Sequence, residues 1–360
     1  MCQSCAVAVD PNNVDAFAQK MLGHLNGAAI MMMTSIGHRT GLLDAMGDGE
    51  ARTTQRLSET CGLSERYVRE WLGAMTTGGV TKYDPATKSY HLPPDHAALL
   101  TRSASVVNFA ASTQWISVLG GAESRVVEAF SHGKGVGYDA YERFHEVMAE
   151  ESNKNTVAVI DQQIVPLIEG LEARLEHGID VADIGCGRGL AIMHLAKRFG
   201  RSRFVGIDLS ADAIDFARAE ADRRGLTNVQ FEQRDLTHLA KPGQFDWITA
   251  FDAIHDQARP DLVLANIHRA LRSDGAFLMQ DVRASSHVEK NLDHPMAPFI
   301  YTISCMHCMS VSLAQGGVGL GAAWGEELAK SMLADAGFSR VEVHQLPHDI
   351  LNSYFVCRRG

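Results

Sequence analysis

The sequence predicts an α/β fold: a seven-stranded, mostly parallel sheet with helices between its strands, following a helical and winged-helix N-terminal region. Three observations lead there. After Gly178, short apolar segments alternate with amphipathic ones, the pattern of βαβ units. A glycine-rich turn, Gly185-Cys186-Gly187-Arg188-Gly189, lies where the first apolar segment passes into the first amphipathic one. Residues 53–94 read as two short helices followed by a hairpin.

Residues 1–13 are polar and lack the basic start of a secretory leader. They read as a frayed tail on a cytoplasmic chain with reduced thiols, and the odd number of scattered cysteines, seven, fits that. Phe17, Met21, Leu25 and Ala28 then recur at helical spacing, thickened by residues 30–33. They predict a helix ending near 37–41 that another element or a second subunit must cover.

Residues 54–60 form the next predicted helix, and Cys61-Gly62 turns the chain. Ser64 caps a helix through about residue 77, which Gly78-Gly79 ends. Residues 80–83 and 89–92 flank Asp84-Pro85 and make the wing, closed by Pro93-Pro94. Residues 95–175 read as helical, with breaks at Gly120-Gly121 and at 133–137.

The predicted strands are 179–184, 203–207, 228–232, 245–251, 275–282, 340–346 and 352–358, with helices 188–199, 211–224, 259–272 and 324–336 among them. Only a short loop separates the last two strands, so they should pair antiparallel.

The turn after the first strand carries the chemistry. Its pattern, starting at Asp183, is D-x-G-x-G-x-G. The dinucleotide pattern G-x-G-x-x-G fails, because Leu190 stands where the last glycine belongs. A carboxylate at Asp183 repels a pyrophosphate and suits a sulfonium or ammonium ligand. Asp208 ends the next strand and suits both ribose hydroxyls. Asp235 follows the third strand and faces an adenine amino group, with Arg234 and Leu236 flanking the ring. Phe251 and Asp252 end the fourth strand, at the edge where ligands of open parallel sheets bind. Cys186 and Leu209 complete the expected lining. The expected cofactor is S-adenosyl-L-methionine.

Residues 179–283 and 324–358 resemble the Rossmann-like, seven-stranded class I S-adenosylmethionine-dependent methyltransferase domain. Over 14–358 the chain resembles a bacterial, mycobacterial-type group of these enzymes with an N-terminal winged-helix dimerisation region. The resemblance implies that Asp183, Gly185, Gly187, Asp208 and Asp235 contact the cofactor. The implied organisation is a dimerisation domain over 14–100, a helical linker or cap contributing to the site over 101–175, and a catalytic domain over 176–360 with a lid insertion at 284–323.

His255-Asp256 lies just past the fourth strand and resembles the His-Asp pair of plant-type small-molecule O-methyltransferases, whose histidine is the base. Here Gln257 follows, where those enzymes usually carry Trp. His255 is the catalytic candidate; otherwise it caps the next helix or lines the cleft. Residues 294–325 hold no Asp, Glu, Lys or Arg. Two prolines, two histidines and a glycine cluster make this run too polar and broken for a bilayer span. It reads as a lid whose Tyr301, Cys305, Met306 and Cys308 shape an apolar acceptor pocket, with His307 near the acceptor. A structural zinc site needs four ligands; Cys305, His307 and Cys308 fall short, so no metal is expected.

The net charge is −10, which offers no general attraction to nucleic acid or anionic lipid. Over residues 1–110 nine Lys and Arg face ten Asp and Glu. In the second helix of the winged unit Arg66 and Arg69 are offset by Glu65 and Glu70. The favoured reading is a homodimeric enzyme methylating a small-molecule acceptor at a hydroxyl, thiol or amine. The rival is a DNA-binding transcriptional regulator that keeps a ligand-sensing methyltransferase-like domain. Modification of RNA or protein is a third reading, disfavoured by the lack of a basic or aromatic strip.

Overall fold

The computed structural model describes residues 10–103, 108–238 and 242–359. The chain divides into two compact units, Met1–Ser117 and Val118–Gly360. The division falls neither at 100 nor at 175. Ile160, Ile164, Val165 and Ile168 belong to the core beneath the large sheet, so most of the stretch expected as a linker, from residue 118 on, is part of the second unit.

The first unit begins with α1 (Pro11–Thr40). Asp10 accepts from the Asn12 N–H at 2.9 Å and Pro11 takes the first helical position, where a missing N–H costs nothing. Residues 11–13, expected as tail, are therefore helical; residues 1–9 lie outside the described residues. Gly41, at φ 77°, ends the helix. Then follow α2 (Leu42–Ala45), α3 (Thr54–Cys61), α4 (Glu65–Thr77), the antiparallel pair β1 (Lys82–Asp84) and β2 (Ser89–His91), α5 (Pro94–Leu100) and α6 (Phe109–Ser112). Leu43, Met46, Leu57, Leu72 and Met75 form the core. The Trp71 indole donates to the Met33 carbonyl at 2.8 Å. Its ring lies so close to α1 that a Cβ at Gly37 would sit 2.5 Å from it.

Two parts of this unit expose apolar side chains. Phe17, Met21, Leu22 and Leu25 are half or more exposed, so no described residue of this unit covers the first half of α1. Tyr67 is 78% exposed, while Val68, Trp71, Leu72 and Met75 on α4 are buried. On that helix Arg66 pairs with Glu70, and Arg69 with Glu65 at 2.9 Å.

Helix α7 (Gln114–His132) contains the division point. The second unit continues with α8 (Phe144–Asn155) and α9 (Leu171–His177), then alternates as the sequence predicts. Strands β3 (Asp180–Ile184), β4 (Arg203–Asp208), β5 (Val229–Gln233), β6 (Phe245–Phe251) and β7 (Leu271–Val282) are joined through α10 (Leu190–Arg198), α11 (Ala211–Arg223) and α12 (Pro260–Ala270). The helical run α13 (Ala297–Ile303), Ser304–Cys308 and α14 (Met309–Ala314) follows, then α15 (Gly325–Asp335), β8 (Phe338–His344) and β9 (Asn352–Arg359).

The sheet order is β5-β4-β3-β6-β7-β9-β8. The first five strands are parallel, and β9 runs antiparallel to both neighbours. Residues 157–177 with α10 and α11 cover one face, α12 and α15 the other. Strand order reverses between β3 and β6, which opens a crevice at their carboxyl ends.

The uncharged insertion is not broken as expected. Ala297–Ala314 is continuous helix, with the wider π turn Ser304–Cys308 at its centre. Its length and hydropathy meet the minimum for crossing a membrane, and 39% of it is buried within the protein. Pro295 and Pro298 do not interrupt it, because Pro298 stands in the first turn.

Candidate functional site

The glycine-rich turn is built by its own backbone. Gly185, Gly187 and Gly189 take φ of 68°, 51° and 71°, a region that costs other residues about 1–2 kcal/mol. The Gly185 N–H donates to the Ile207 carbonyl at 2.8 Å, tying the turn to β4. A Cβ at Gly185 would lie 2.4 Å from that of Ala253, and one at Gly189 2.4 Å from the Phe231 ring. The turn therefore needs glycine for packing as well as for conformation.

Asp208, at the end of β4, fastens this turn. One carboxylate oxygen accepts from the Gly187 N–H at 2.8 Å and the other from the Ser210 N–H at 2.8 Å. Asp183 is 2% exposed and accepts from the Thr249 hydroxyl at 2.8 Å. Burial, with the Asp208 charge nearby, pushes its carboxyl up to about 7, against the pull of Thr249. Asp252 stands just past β6 at φ 51°. One of its oxygens accepts from the Gln280 amide at 2.7 Å, and the other is buried with no hydrogen-bond partner. Burial and then the charge of Asp281 hold this carboxyl well above the usual range.

These groups surround a cavity of about 350 Å³. Its wall contains Asp183, Gly185, Cys186, Gly187, Asp208, Leu209, Leu236, Phe251 and Asp252. Asp235 and His255 are absent from it. The Asp235 carboxylate faces Thr237 instead, accepting its N–H at 2.8 Å and its hydroxyl at 2.7 Å. It caps the short turn after β5, a common use for aspartate.

The opposite wall was not read residue by residue from the sequence. Phe144, His145, Met148, Ala149 and Ser152 share one face of α8, and Tyr138 and Thr156 flank it. Their spacing of three and four residues was a readable signal, obscured by the polar residues in the same stripe. The His145 ring approaches the Ser210 hydroxyl at 3.2 Å, and burial lowers its pKa, partly opposed by Asp208. From the expected lid only Gln315 reaches the cavity. Tyr301, Cys305, Met306 and Cys308 are not on its wall. Neither is His307, which stacks on Phe144 with ring centres 4.2 Å apart, edged by Tyr141 at 4.7 Å.

His255 lies behind the cavity, 3% exposed. Its Nδ1 is 2.6 Å from the Asp281 carboxylate, which also accepts the Val282 N–H at 2.8 Å and the Trp324 indole at 2.9 Å. Its Nε2 faces Asp256 Oδ1 at 3.3 Å. Burial opposes a charged ring, yet Asp281 and Asp256 together hold His255 well above its ordinary value. Asp256 is on the cavity wall. The Tyr138 hydroxyl approaches its other oxygen at 3.5 Å.

The chemistry of the site is that of an acidic niche. Asp183, Asp208, Asp252 and Asp256 face a space in which Arg188 supplies the one guanidinium. The unpartnered Asp252 oxygen and the carboxylates around it suit a cationic ligand better than a phosphate.

Known proteins resemble the chain in both of its parts. Residues 28–102 match the family model of an Rv2258c-like winged HTH domain, and residues 175–337 that of a methyltransferase domain. The fatty-acid O-methyltransferase of Mycolicibacterium smegmatis is 35% identical over 106 residues, 29% of this chain and 38% of that protein. The chain thus spans little more than a third of the length of this curated relative. Among solved structures, a putative O-methyltransferase from Nostoc punctiforme superimposes with a TM-score of 0.71 at 18% identity, covering 97% of this chain and 99% of that one. Human N-acetylserotonin methyltransferase in complex with SAM gives 0.68 at 12% identity, covering 99% of both chains. At these identities the likeness shows a shared fold.

Proposed function

We propose that this chain, a winged-helix protein carrying a methyltransferase domain, moves a methyl group from S-adenosylmethionine to a small-molecule acceptor. One observation carries the reading: a glycine-floored cavity at the switch point of the sheet, with aspartates at the ends of β3, β4 and β6. When bound, S-adenosylmethionine supplies a methyl group already activated on a sulfonium. The chain's own residues have to hold, align and dry the partners. Asp208 takes the ribose hydroxyls while keeping Gly187 and Ser210 in place. Asp183 and Asp252 face the cationic end. Tyr138, Phe144 and Met148 close the niche with an uncharged wall, which suits an apolar or aromatic acceptor.

A hydroxyl acceptor has to lose a proton. We assign its uptake to the His255–Asp256 pair: the Asp256 carboxylate on the wall receives the proton, and His255, held from behind by Asp281, stays cationic beside it. His255→Ala should lower turnover of a hydroxyl acceptor about 100-fold or more and leave S-adenosylmethionine affinity within about twofold, as read by calorimetry on the same preparation. Unchanged turnover would remove the role.

Asp183 makes binding depend on pH. Its folded carboxyl keeps a proton up to about pH 7, whereas the unfolded chain loses it near 3.8. The folded state thus binds more protons between these values, and stability from this group falls as pH rises through that window. A cationic ligand favours the ionised form. Affinity for S-adenosylmethionine should therefore rise about tenfold per pH unit below 7 and level off above it. Asp183→Asn should flatten the profile. A wild-type profile flat across pH 7 would contradict the cation contact.

The exposed apolar half of α1 supports a homodimer, with Phe17, Met21 and Leu25 as the contact. The double variant Phe17→Asp, Leu25→Asp should move the mass in light scattering from dimer to monomer. A dimer unaffected by it would put the interface elsewhere. The paired state of Arg66 and Arg69 disfavours the DNA-binding alternative, since phosphates need free cations. A low-salt gel shift over genomic fragments should show no sequence-specific band.

A further inference from the structure

The turn after β6 and the π turn Ser304–Cys308, far apart in sequence, bring three electron-pair donors together. His255, Asp256 and Cys308 have ligand atoms all within 4.8 Å of one another, and none of the three residues is exposed. We infer that these three side chains form a binding site for a divalent transition ion of the zinc kind, with Asp281 as the group that orients the histidine.

The geometry at the histidine points to an ion. Nε2 and Asp256 Oδ1 are 3.3 Å apart, yet Asp256 Oδ1 has no hydrogen-bond partner. A charge-assisted N–H···O bond would draw them to about 2.7–2.9 Å. A tetrahedral zinc with bonds of about 2.0–2.2 Å to nitrogen and oxygen sets those two atoms about 3.4 Å apart. The Asp281 carboxylate at Nδ1 fixes the tautomer that leaves the Nε2 lone pair for the ion. Asp281 is itself held by Val282 and Trp324, so the ring cannot turn freely.

The donor set selects the ion. Imidazole, thiolate and carboxylate together suit zinc, cobalt or ferrous iron and disfavour magnesium or calcium, which take all-oxygen shells. Three protein ligands leave a fourth position open, the arrangement of catalytic rather than structural zinc. Asp256 is the one ligand on the cavity wall, so an acceptor reaches the ion from that side. A sequence search for spaced ligands misses the site, because Cys308 lies beyond three further secondary-structure elements and pairs with neither Cys305 nor His307. The inference rests on the same His255–Asp256 pair to which proton uptake is assigned. It refines that role: with the ion bound, the acceptor's oxygen meets a Lewis acid that favours its ionised form.

The test uses cobalt(II), which takes zinc sites and reports thiolate ligation by a charge-transfer absorption in the near ultraviolet. Full-length protein stripped with chelator should bind about one equivalent with that absorption, zinc should displace it, and excess magnesium should not. Cys308→Ser should abolish the near-ultraviolet band. Asp281→Asn should keep the band and weaken cobalt binding about 10- to 100-fold, which serves if the Cys308 variant does not fold. No saturable uptake by the unaltered protein would overturn the inference, leaving a proton between His255 and Asp256. So would a band that survives Cys308→Ser, or an affinity untouched by Asp281→Asn. Neither methyl donor nor acceptor enters this measurement, so its failure and that of the methyl-transfer reading are separable.

Discussion

Asp208→Ala should weaken the binding of S-adenosylmethionine and of its demethylated product alike, by about 10- to 100-fold in calorimetry. The carboxylate has two tasks. In the proposed binding mode it offers lone pairs to the ribose hydroxyls, and hydrogen bonds to a charged group contribute about 1.5–3 kcal/mol, with each tenfold in affinity equal to about 1.4 kcal/mol. Towards the protein it accepts the N–H groups of Gly187 and Ser210. Alanine removes both, so the glycine turn loses its fastening as the ligand loses its partner. Asn is no remedy, because its NH₂ would face one of those two N–H donors. Both ligands share the ribose, so they should lose equally. Binding unchanged in the variant would contradict the ribose role, and a loss confined to S-adenosylmethionine would shift Asp208 to the methyl-bearing end.

Gly189→Ala should lower stability by about 2–5 kcal/mol, the sum of about 1–2 for a side chain in the left-handed region and about 1–3 for overpacking. The added methyl would lie 2.4 Å from one Phe231 ring carbon and 2.7 Å from another. Phe231 is buried in β5, so the ring cannot yield without opening the core. Gly200→Ala is the control. A Cβ there meets nothing within 4 Å, and the change should stay within about 0.5 kcal/mol. Denaturant midpoints of the two variants decide the matter. If they coincide, the third glycine of the turn is dispensable.

The glycine turn and the strand-end aspartates could be read in the sequence because one short stretch carries them and each follows an apolar run. Asp183 and Asp208 need only the strand boundaries, and those were correctly placed. Asp235 shows the limit of that reasoning. It occupies the right position in the chain, but its side chain turns to Thr237, a choice made by local hydrogen bonding after the strand has ended. His255 shows the same limit in a different way. The residue was singled out, yet whether it or Asp256 meets the cavity depends on a rotation about the turn that Asp281, 26 residues on, decides. The wall formed by α8 escaped because Phe144, His145, Met148 and Ser152 mix apolar and polar types, so no uniform stripe announces a buried face. In the uncharged insertion, composition suggested a lid too broken to span a bilayer, whereas the prolines stand where a helix tolerates them.

The π turn Ser304–Cys308 carries one residue more than an α-helical path of the same length. Each residue turns a helix by about 100°. Loss of a single residue here would restore the ordinary ladder while α13 and α14 kept their lengths, and would remove one side chain from the wide turn that carries Cys308. The side chains that this turn presents beside Cys308 thus depend on its extra residue, which a three-nucleotide deletion would remove.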